Sequence, residues 1–144
     1  MELSRFTDYS LRTLIYAGLH GDRIVTVPEV AAAYGLSENH LVKIAHHLGK
    51  AGFLVSIRGR NGGIRLAAAP AKIKLGDVVR TTESMALVEC LGADGGSCPI
   101  DSACVLKTVV REARDAFLET FDRYTLADLL QTKAAMLQRL STHE

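Results

Sequence analysis

The chain has 144 residues, of which 48% are hydrophobic and 23% charged, and its formal net charge is +1. This length fits one domain with at most one appended element, and the apolar fraction is too high for a disordered chain. No run of 18 apolar residues is present, which argues against a membrane-spanning helix, and the N-terminal segment lacks an apolar secretory signal, so we expect a cytoplasmic protein.

Charge is distributed unevenly along the chain. Residues 1–80 contain eleven Lys and Arg against six acids, a net charge of +5, whereas residues 81–144 contain six against ten, a net charge of −4. Such an asymmetry predicts that the two parts have different tasks, although random scatter of charge is the alternative.

Three helices are predicted in the first 52 residues. Ser4 precedes apolar residues at helical spacing, and Thr26-Val27-Pro28-Glu29 has the form of a capping box with proline in the first turn. Gly35 is the residue type that ends a helix in a left-handed conformation, and Ser37 is positioned to cap the next helix. The inward face of this third helix consists of Leu41, Ile44, Ala45 and Leu48.

A β-hairpin is predicted next. Residues 53–57 have the composition of a strand, residues 58–63 form a turn rich in Arg and Gly, and Ile64-Arg65-Leu66 begins the returning strand. Two helices, a short glycine turn, a third helix and a hairpin are the elements of a winged helix-turn-helix in their usual order. We therefore expect a mainly α fold with a small β-hairpin, and a winged helix-turn-helix DNA-binding domain over residues 1–70.

The remainder is predicted to form two parts. Residues 71–104 read as a connector with a short helix over 75–82, followed by a glycine-rich loop that contains the cysteines. Residues 105–144 read as a long dimerisation helix to about Asp122, a short helix capped by Thr125, and a tail that we expect to fray from Gln131. Asp101 or Ser102 is the expected cap of the long helix. An apolar stripe along this helix predicts packing against a second copy in a symmetric dimer, with an ordinary core helix as the alternative; it consists of Val105, Val109, Ala113, Ala116, Phe117, Thr120, Phe121 and Tyr124.

Polar and basic residues of the third helix and of the hairpin tip suit contact with DNA. Asparagine, histidine and lysine can bind base edges and phosphates in a major groove, and a helix start offers N–H groups to a phosphate. Arginines beside glycines can approach a narrow minor groove closely. These residues predict binding to a roughly palindromic double-stranded site by a dimer. The candidate DNA-binding residues are Ser37, Asn39, His40, Lys43, His47, Arg58, Arg60 and Asn61.

All three cysteines lie in one stretch, at Cys90, Cys98 and Cys104. An odd number of thiols cannot form a closed set of disulfides, and clustered thiolates in a loop suit an iron–sulfur cluster. Zinc is less well matched because no closely spaced cysteine pair is present, and a thiol redox switch without metal is a further alternative. The nearest carboxylates that could complete the ligand set are Glu89, Asp94 and Asp101, and Asp8 of a second copy is another candidate.

The motifs together resemble the winged-helix iron–sulfur transcription repressors of the NsrR, IscR and RirA type. The resemblance covers nearly the whole chain. It includes residues 3–9, 34–44, 55–66, 76–80 and 124–129, and the three cysteines ahead of a long helix.

The resemblance is strongest to the nitric-oxide-sensing members of this family. It implies a repressor whose cluster controls affinity for its operator, with [4Fe–4S] favoured over [2Fe–2S]. It also implies that Cys90, Cys98 and Cys104 hold the cluster together with Asp8 of the partner subunit. Lys107 occupies the position at which an IscR-like protein has a ligating histidine, which argues against that mode. An iron-responsive RirA-like regulator stays open, whereas an enzyme is not expected because no nucleotide-binding or nucleophile–base motif is present.

Overall fold

The computed structural model describes residues 1–141, so the last three residues of the predicted tail lie outside the described part. The fold is mainly helical with one two-stranded antiparallel hairpin, as the sequence predicts. No helix among residues 1–141 is long and apolar enough to cross a membrane. In chain order the elements are α1 (Arg5–Leu19), α2 (Val27–Tyr34), α3 (Glu38–Lys50), β1 (Leu54–Ile57), β2 (Gly63–Leu66), α4 (Leu75–Thr82), α5 (Val105–Asp122), α6 (Leu126–Leu129) and α7 (Lys133–Ser141).

Local sequence sets both ends of α2, and with them the turn to α3. The Thr26 hydroxyl accepts a hydrogen bond from the Glu29 N–H at 3.2 Å, and the Glu29 carboxylate accepts one from the Thr26 N–H at 3.0 Å, which completes the expected capping box. Gly35 ends α2 at a φ of 64°, a conformation that costs other residues energy. The two helices can therefore meet through a short turn, which orients α3.

The core lies between α1, α2, α3 and the hairpin. The predicted inward face of α3 is buried, and Ile44 and Leu48 are fully inaccessible to solvent. The hairpin joins this core because Ile64 exchanges two backbone hydrogen bonds with Val25, at 2.9 and 2.7 Å. In the strand register Leu54 opposes Leu66 and Ile57 opposes Gly63. The wing thus extends from the same core that holds α3.

One of the contacts that join the second half of the chain to the first lies between α4 and α5. Gly76 lies so close to α5 that a Cβ atom there would collide with the Asp122 carboxylate. Arg80 donates two hydrogen bonds to that carboxylate, each 2.6 Å long. The guanidinium group lowers the pKa of Asp122 because it stabilises the ionised form. The basic and acidic parts of the chain therefore meet in a bidentate ion pair.

Two expectations about the second half are wrong. Cys104, rather than Asp101 or Ser102, occupies the N-cap position of α5, and the Asp101 carboxylate is bound by Lys107 instead. The segment after Gln131 does not fray throughout, since residues 133–141 form α7. Leu140 of this helix packs against the hydrophobic core beside Tyr34 and Ile15.

Candidate nucleic-acid interface and cysteine loop

The solvent-facing side of α3 is mostly polar and basic. Asn39 and Lys43 are exposed there, as predicted for residues that could reach a groove. Their exposed neighbours on the same face are Val42, His46 and Lys50, at i+3, i+7 and i+11 from Asn39. This spacing follows the helical repeat, so the side chains form one stripe opposite the buried Ile44 and Leu48.

His40 and His47 do not lie on this exposed stripe but are half-buried on its flank, and their contact with DNA stays a prediction. The ring of His40 is half-buried against Tyr9, with 5.3 Å between ring centroids. The ring of His47 meets Phe6 edge-on at 5.2 Å, and its Nε2 atom lies 2.8 Å from the carbonyl oxygen of Thr81. Both histidines therefore connect α3 to neighbouring helices. A helical wheel drawn from the buried face would have selected His46 in their place.

Ser37 and the hairpin tip lie where the sequence predicts. Ser37 is the exposed N-cap residue of α3, and its hydroxyl makes no capping hydrogen bond. Arg58, Arg60 and Asn61 are exposed at the tip of the wing. The tip is tightly folded, because a Cβ at Gly62 would collide with the carbonyl oxygen of Ile57.

Asp8 lies on α1 and pairs with Arg12 one helical turn later. Two short contacts join the guanidinium to the carboxylate, 3.0 Å from Nε to Oδ1 and 2.8 Å from Nη2 to Oδ2. The Arg12 guanidinium also lies over the ring of Tyr34, 5.8 Å from its centroid. Burial raises the pKa of Tyr34 to about 12, so this ring is uncharged beside the ion pair at neutral pH.

The three cysteines are all free and lie along one loop. Cys90 is half-buried in a turn, Cys98 is exposed, and Cys104 is half-buried at the start of α5. The loop doubles back on itself, since a Cβ at Gly96 would lie 3.2 Å from the backbone of Cys90. Within residues 1–141, no three His, Cys, Asp or Glu side chains are close enough together to share a metal ion. The loop thus supplies three free thiols, but in this structure they are not close enough together to share a metal ion.

The acids considered as further ligands have different surroundings. Asp101 is taken by Lys107, whose Nζ lies 2.7 and 2.9 Å from the two carboxylate oxygens. Glu89 and Asp94 are exposed. The Lys107 side chain reaches from the first turn of α5 back to Asp101 in the loop. This contact joins the segments that precede and follow Cys104.

The C-terminal end of α4 makes contacts that the sequence did not reveal. Beyond Thr81, the Glu83 carboxylate accepts a hydrogen bond of 2.7 Å from the backbone N–H of Ser4, ahead of α1. Burial raises the pKa of Glu83, but hydrogen bonds from Ser4 and Thr7 outweigh it and the net shift is downward. Ser4 and Glu83 are 79 residues apart, and no local pattern announces such a contact.

The chain belongs to the Rrf2 family of transcriptional regulators. The sequence profile of this family, described as an iron-dependent transcriptional regulator, matches residues 3–132. The protein is therefore a regulator of transcription and not an enzyme.

Individual relatives and solved structures agree with this assignment. The transcriptional regulator NsrR of Geobacillus kaustophilus is 47% identical over 138 residues, which cover 94% of each chain. NsrR of Bacillus licheniformis is 42% identical over 98% of this chain and its own full length. The structure of T. potens IscR superposes with a TM-score of 0.74 at 29% identity, covering 92% of this chain and 88% of that one. CymR, the global cysteine regulator of B. subtilis, has a TM-score of 0.68 at 32% identity, covering 90% and 95% of the two chains.

Proposed function

We propose that this protein is a nitric-oxide-responsive repressor in which an iron–sulfur cluster controls the affinity of a homodimer for a palindromic operator in the cytoplasm. The observation that carries the proposal is that one small chain combines an exposed basic surface, formed by α3 and the wing, with three free thiols on one loop. Its similarity to the regulators named NsrR supports nitric oxide as the signal.

DNA contact is assigned to α3 and to the wing. Asn39 and Lys43 would face the major groove, and Ser37 would meet a phosphate at the start of α3. Arg58, Arg60 and Asn61 would contact the adjacent minor groove or its backbone. His40 and His47, because they are half-buried, would act by holding α3 in position. The net charge of +5 over residues 1–80 favours approach to the polyanion.

Dimerisation is assigned to the outward face of α5. Only Leu118 of its eighteen residues is buried, and the opposite side exposes large apolar side chains. Val105, Leu106 and Val109 are 75%, 61% and 53% exposed. A contiguous apolar surface of this kind is typical of an interface, and a second copy would bury it symmetrically. Two α3 helices would then be presented to two half-sites.

The donor set fits an iron–sulfur cluster in its chemistry. Thiolates are the usual ligands of such clusters, and Cys90, Cys98 and Cys104 would supply three of them. A bound cluster, [4Fe–4S] in preference to [2Fe–2S], would supply iron that reacts with nitric oxide. Asp8 of the partner subunit is proposed as the remaining ligand, as the resemblance to the nitric-oxide-sensing members of the family implies.

Asp8 has a second partner available within its own chain. Its carboxylate is bound by Arg12 through both oxygens, and a carboxylate engaged in this way has fewer lone pairs left for a metal. Binding of Asp8 to the cluster held by the partner's cysteine loop would therefore compete with its pairing with Arg12. Asp8 and Phe6 both lie on α1, and Phe6 contacts His47 of α3. The competition for Asp8 would therefore affect the position of α3.

The test is anaerobic purification followed by titration with nitric oxide. We expect a coloured protein with iron and sulfide, whose affinity for a duplex selected from a random pool falls when nitric oxide is added. A Cys98→Ser variant should be colourless and unresponsive, and therefore serves as the matched control. Iron-free, zinc-loaded protein, or DNA binding indifferent to nitric oxide in the coloured protein, would contradict the proposal.

An iron-responsive regulator is the second candidate. The description of the matching family as iron-dependent favours it. Release of DNA upon iron chelation, combined with a poor response to nitric oxide, would select this candidate. A cluster-free thiol sensor would be selected if colourless protein lost DNA affinity upon thiol oxidation and regained it upon reduction.

A further inference from the structure

One apolar side chain stands in the middle of the exposed stripe of α3. Val42 is 55% exposed and lies one helical turn from Asn39 and from His46. The other members of this stripe are polar or basic. Valine is a poor choice for an exposed helical position, because its branched Cβ restricts the side chain and lowers helix propensity. Packing within the chain does not explain a valine here, since most of the side chain contacts only solvent.

We propose that Val42 reads the 5-methyl group of a thymine in the major groove. This inference rests on the proposed function, because it requires that α3 enter the groove with the Asn39–Lys43 side facing the bases. Residues in the first turns of a recognition helix are those that reach base edges, and Val42 is the fifth residue of α3.

The chemistry of the groove leaves one match for an apolar side chain. Thymine alone presents a methyl group to the major groove, beside its carbonyl oxygen, whereas the other bases present donors and acceptors and, in cytosine, a bare C5–H. A valine against any other base would bury a polar edge without a hydrogen bond, which is unfavourable. Val42 would therefore select thymine at one position of each half-site.

The surroundings of Val42 favour DNA over a protein as the partner. Lys43 and Lys50 share its stripe, and the nearby wing exposes Arg58 and Arg60, so the apolar group lies within a cationic surface. A protein interface needs a larger apolar centre than one side chain, whereas a methyl contact needs no more than that.

The experiment uses full-length protein purified anaerobically and a duplex that this protein selects from a random pool. Thymidine is replaced by deoxyuridine at one position at a time in both half-sites, which removes the methyl group and leaves the hydrogen-bonding pattern unchanged. We expect one thymidine at which this replacement weakens wild-type binding about fourfold per half-site, the factor for one buried methyl group. Val42→Ala should bind the thymidine duplex at least about fourfold more weakly per half-site, because it removes the groups that bury this methyl, and should weaken no further with deoxyuridine.

Val55→Ala is the matched control, since Val55 is also an exposed valine, at 39%, but lies on β1 outside the α3 stripe. It should keep the wild-type response to deoxyuridine. Sensitivity at no thymidine, or equal sensitivity in Val42→Ala and wild type, would overturn this inference and leave the proposed function standing. Failure of the protein to select any duplex would overturn both.

Discussion

The Nε2 atom of His47 on α3 lies 2.8 Å from the carbonyl oxygen of Thr81 on α4. Because a carbonyl oxygen only accepts, the imidazole must donate from Nε2, and this assigns the tautomer. The bond ties α3 to the end of α4, from which the chain continues through the connector to the cysteine loop. Two residues further along, Glu83 ties the same segment to the start of α1.

A His47→Phe substitution should separate this positioning role from base contact. The phenyl ring can keep the edge-on contact with Phe6 but cannot donate to Thr81, so the free energy of unfolding should fall by about 0.5–1.5 kcal/mol. DNA affinity should decrease alike for the selected duplex and for unrelated duplexes, as measured by fluorescence anisotropy. A change in base preference would instead identify His47 as a direct contact.

Removal of a wing cation should lower the dependence of binding on salt. In Arg60→Ala, the slope of log affinity against log salt concentration should decrease by about 0.9 for each phosphate that the arginine neutralises in wild type. Arg123→Ala, which removes an exposed arginine outside the proposed DNA surface, should leave the slope unchanged. Equal slopes in Arg60→Ala and wild type would show that Arg60 does not bind a phosphate.

Asp8→Asn should affect iron far more than stability. The ion pair with Arg12 is about 40% exposed on both sides, so breaking it should cost no more than about 0.5 kcal/mol of unfolding free energy. We expect iron and visible absorbance to disappear faster than in wild type. Asp101→Asn, which breaks the Lys107 contact, should retain its iron. The reverse result would move the remaining ligand to Asp101.

A charge placed on the outward face of α5 should prevent dimerisation. Val109→Glu would have to bury an ionised carboxylate in the proposed interface, so sedimentation should report a monomer with an unchanged circular dichroism spectrum. Arg111→Glu introduces the same group on a different side of the helix and should remain dimeric. A dimeric Val109→Glu protein would place the interface elsewhere.

Acid should weaken the contact between Glu83 and α1. The pKa of Glu83 is lower in the folded protein, so its contribution to stability is present above the pKa of the unfolded chain and disappears as the pH falls through the folded value. The unfolding free energy of wild type should therefore decrease more steeply than that of Glu83→Gln between about pH 5 and pH 3. Parallel curves would show that Glu83 does not contribute to this decrease.

The helix-turn-helix could be predicted because its determinants are local. Thr26 and Glu29 are three residues apart, and Gly35 needs only its own backbone to end α2. The sequence also predicts which positions of α3 are buried and which are exposed. It does not predict which flank of α3 contacts α1 and α4. The helical repeat places His46 opposite the buried face, but only tertiary packing shows that the neighbouring His47 meets Thr81.

The errors in the second half have the same origin. Asp101 is a good capping residue by type, but α5 begins after Cys104 and the Asp101 carboxylate is bound by Lys107. The composition of the tail beyond Gln131 predicts fraying, but Leu140 packs against apolar residues of α1 and α2. Both contacts join residues of different elements, which a local pattern does not contain.

Gly76 takes no part in the ion pair between Arg80 and Asp122, but the pair forms only because Gly76 has no side chain. A methyl group at position 76 would push the carboxylate away from the Arg80 guanidinium, so Gly76→Ala and Asp122→Ala should both lower the free energy of unfolding through loss of the same ion pair. Combining the two changes should then cost little more than either alone. Such a result would show that Gly76 matters to this junction through the room that it leaves for the Asp122–Arg80 ion pair.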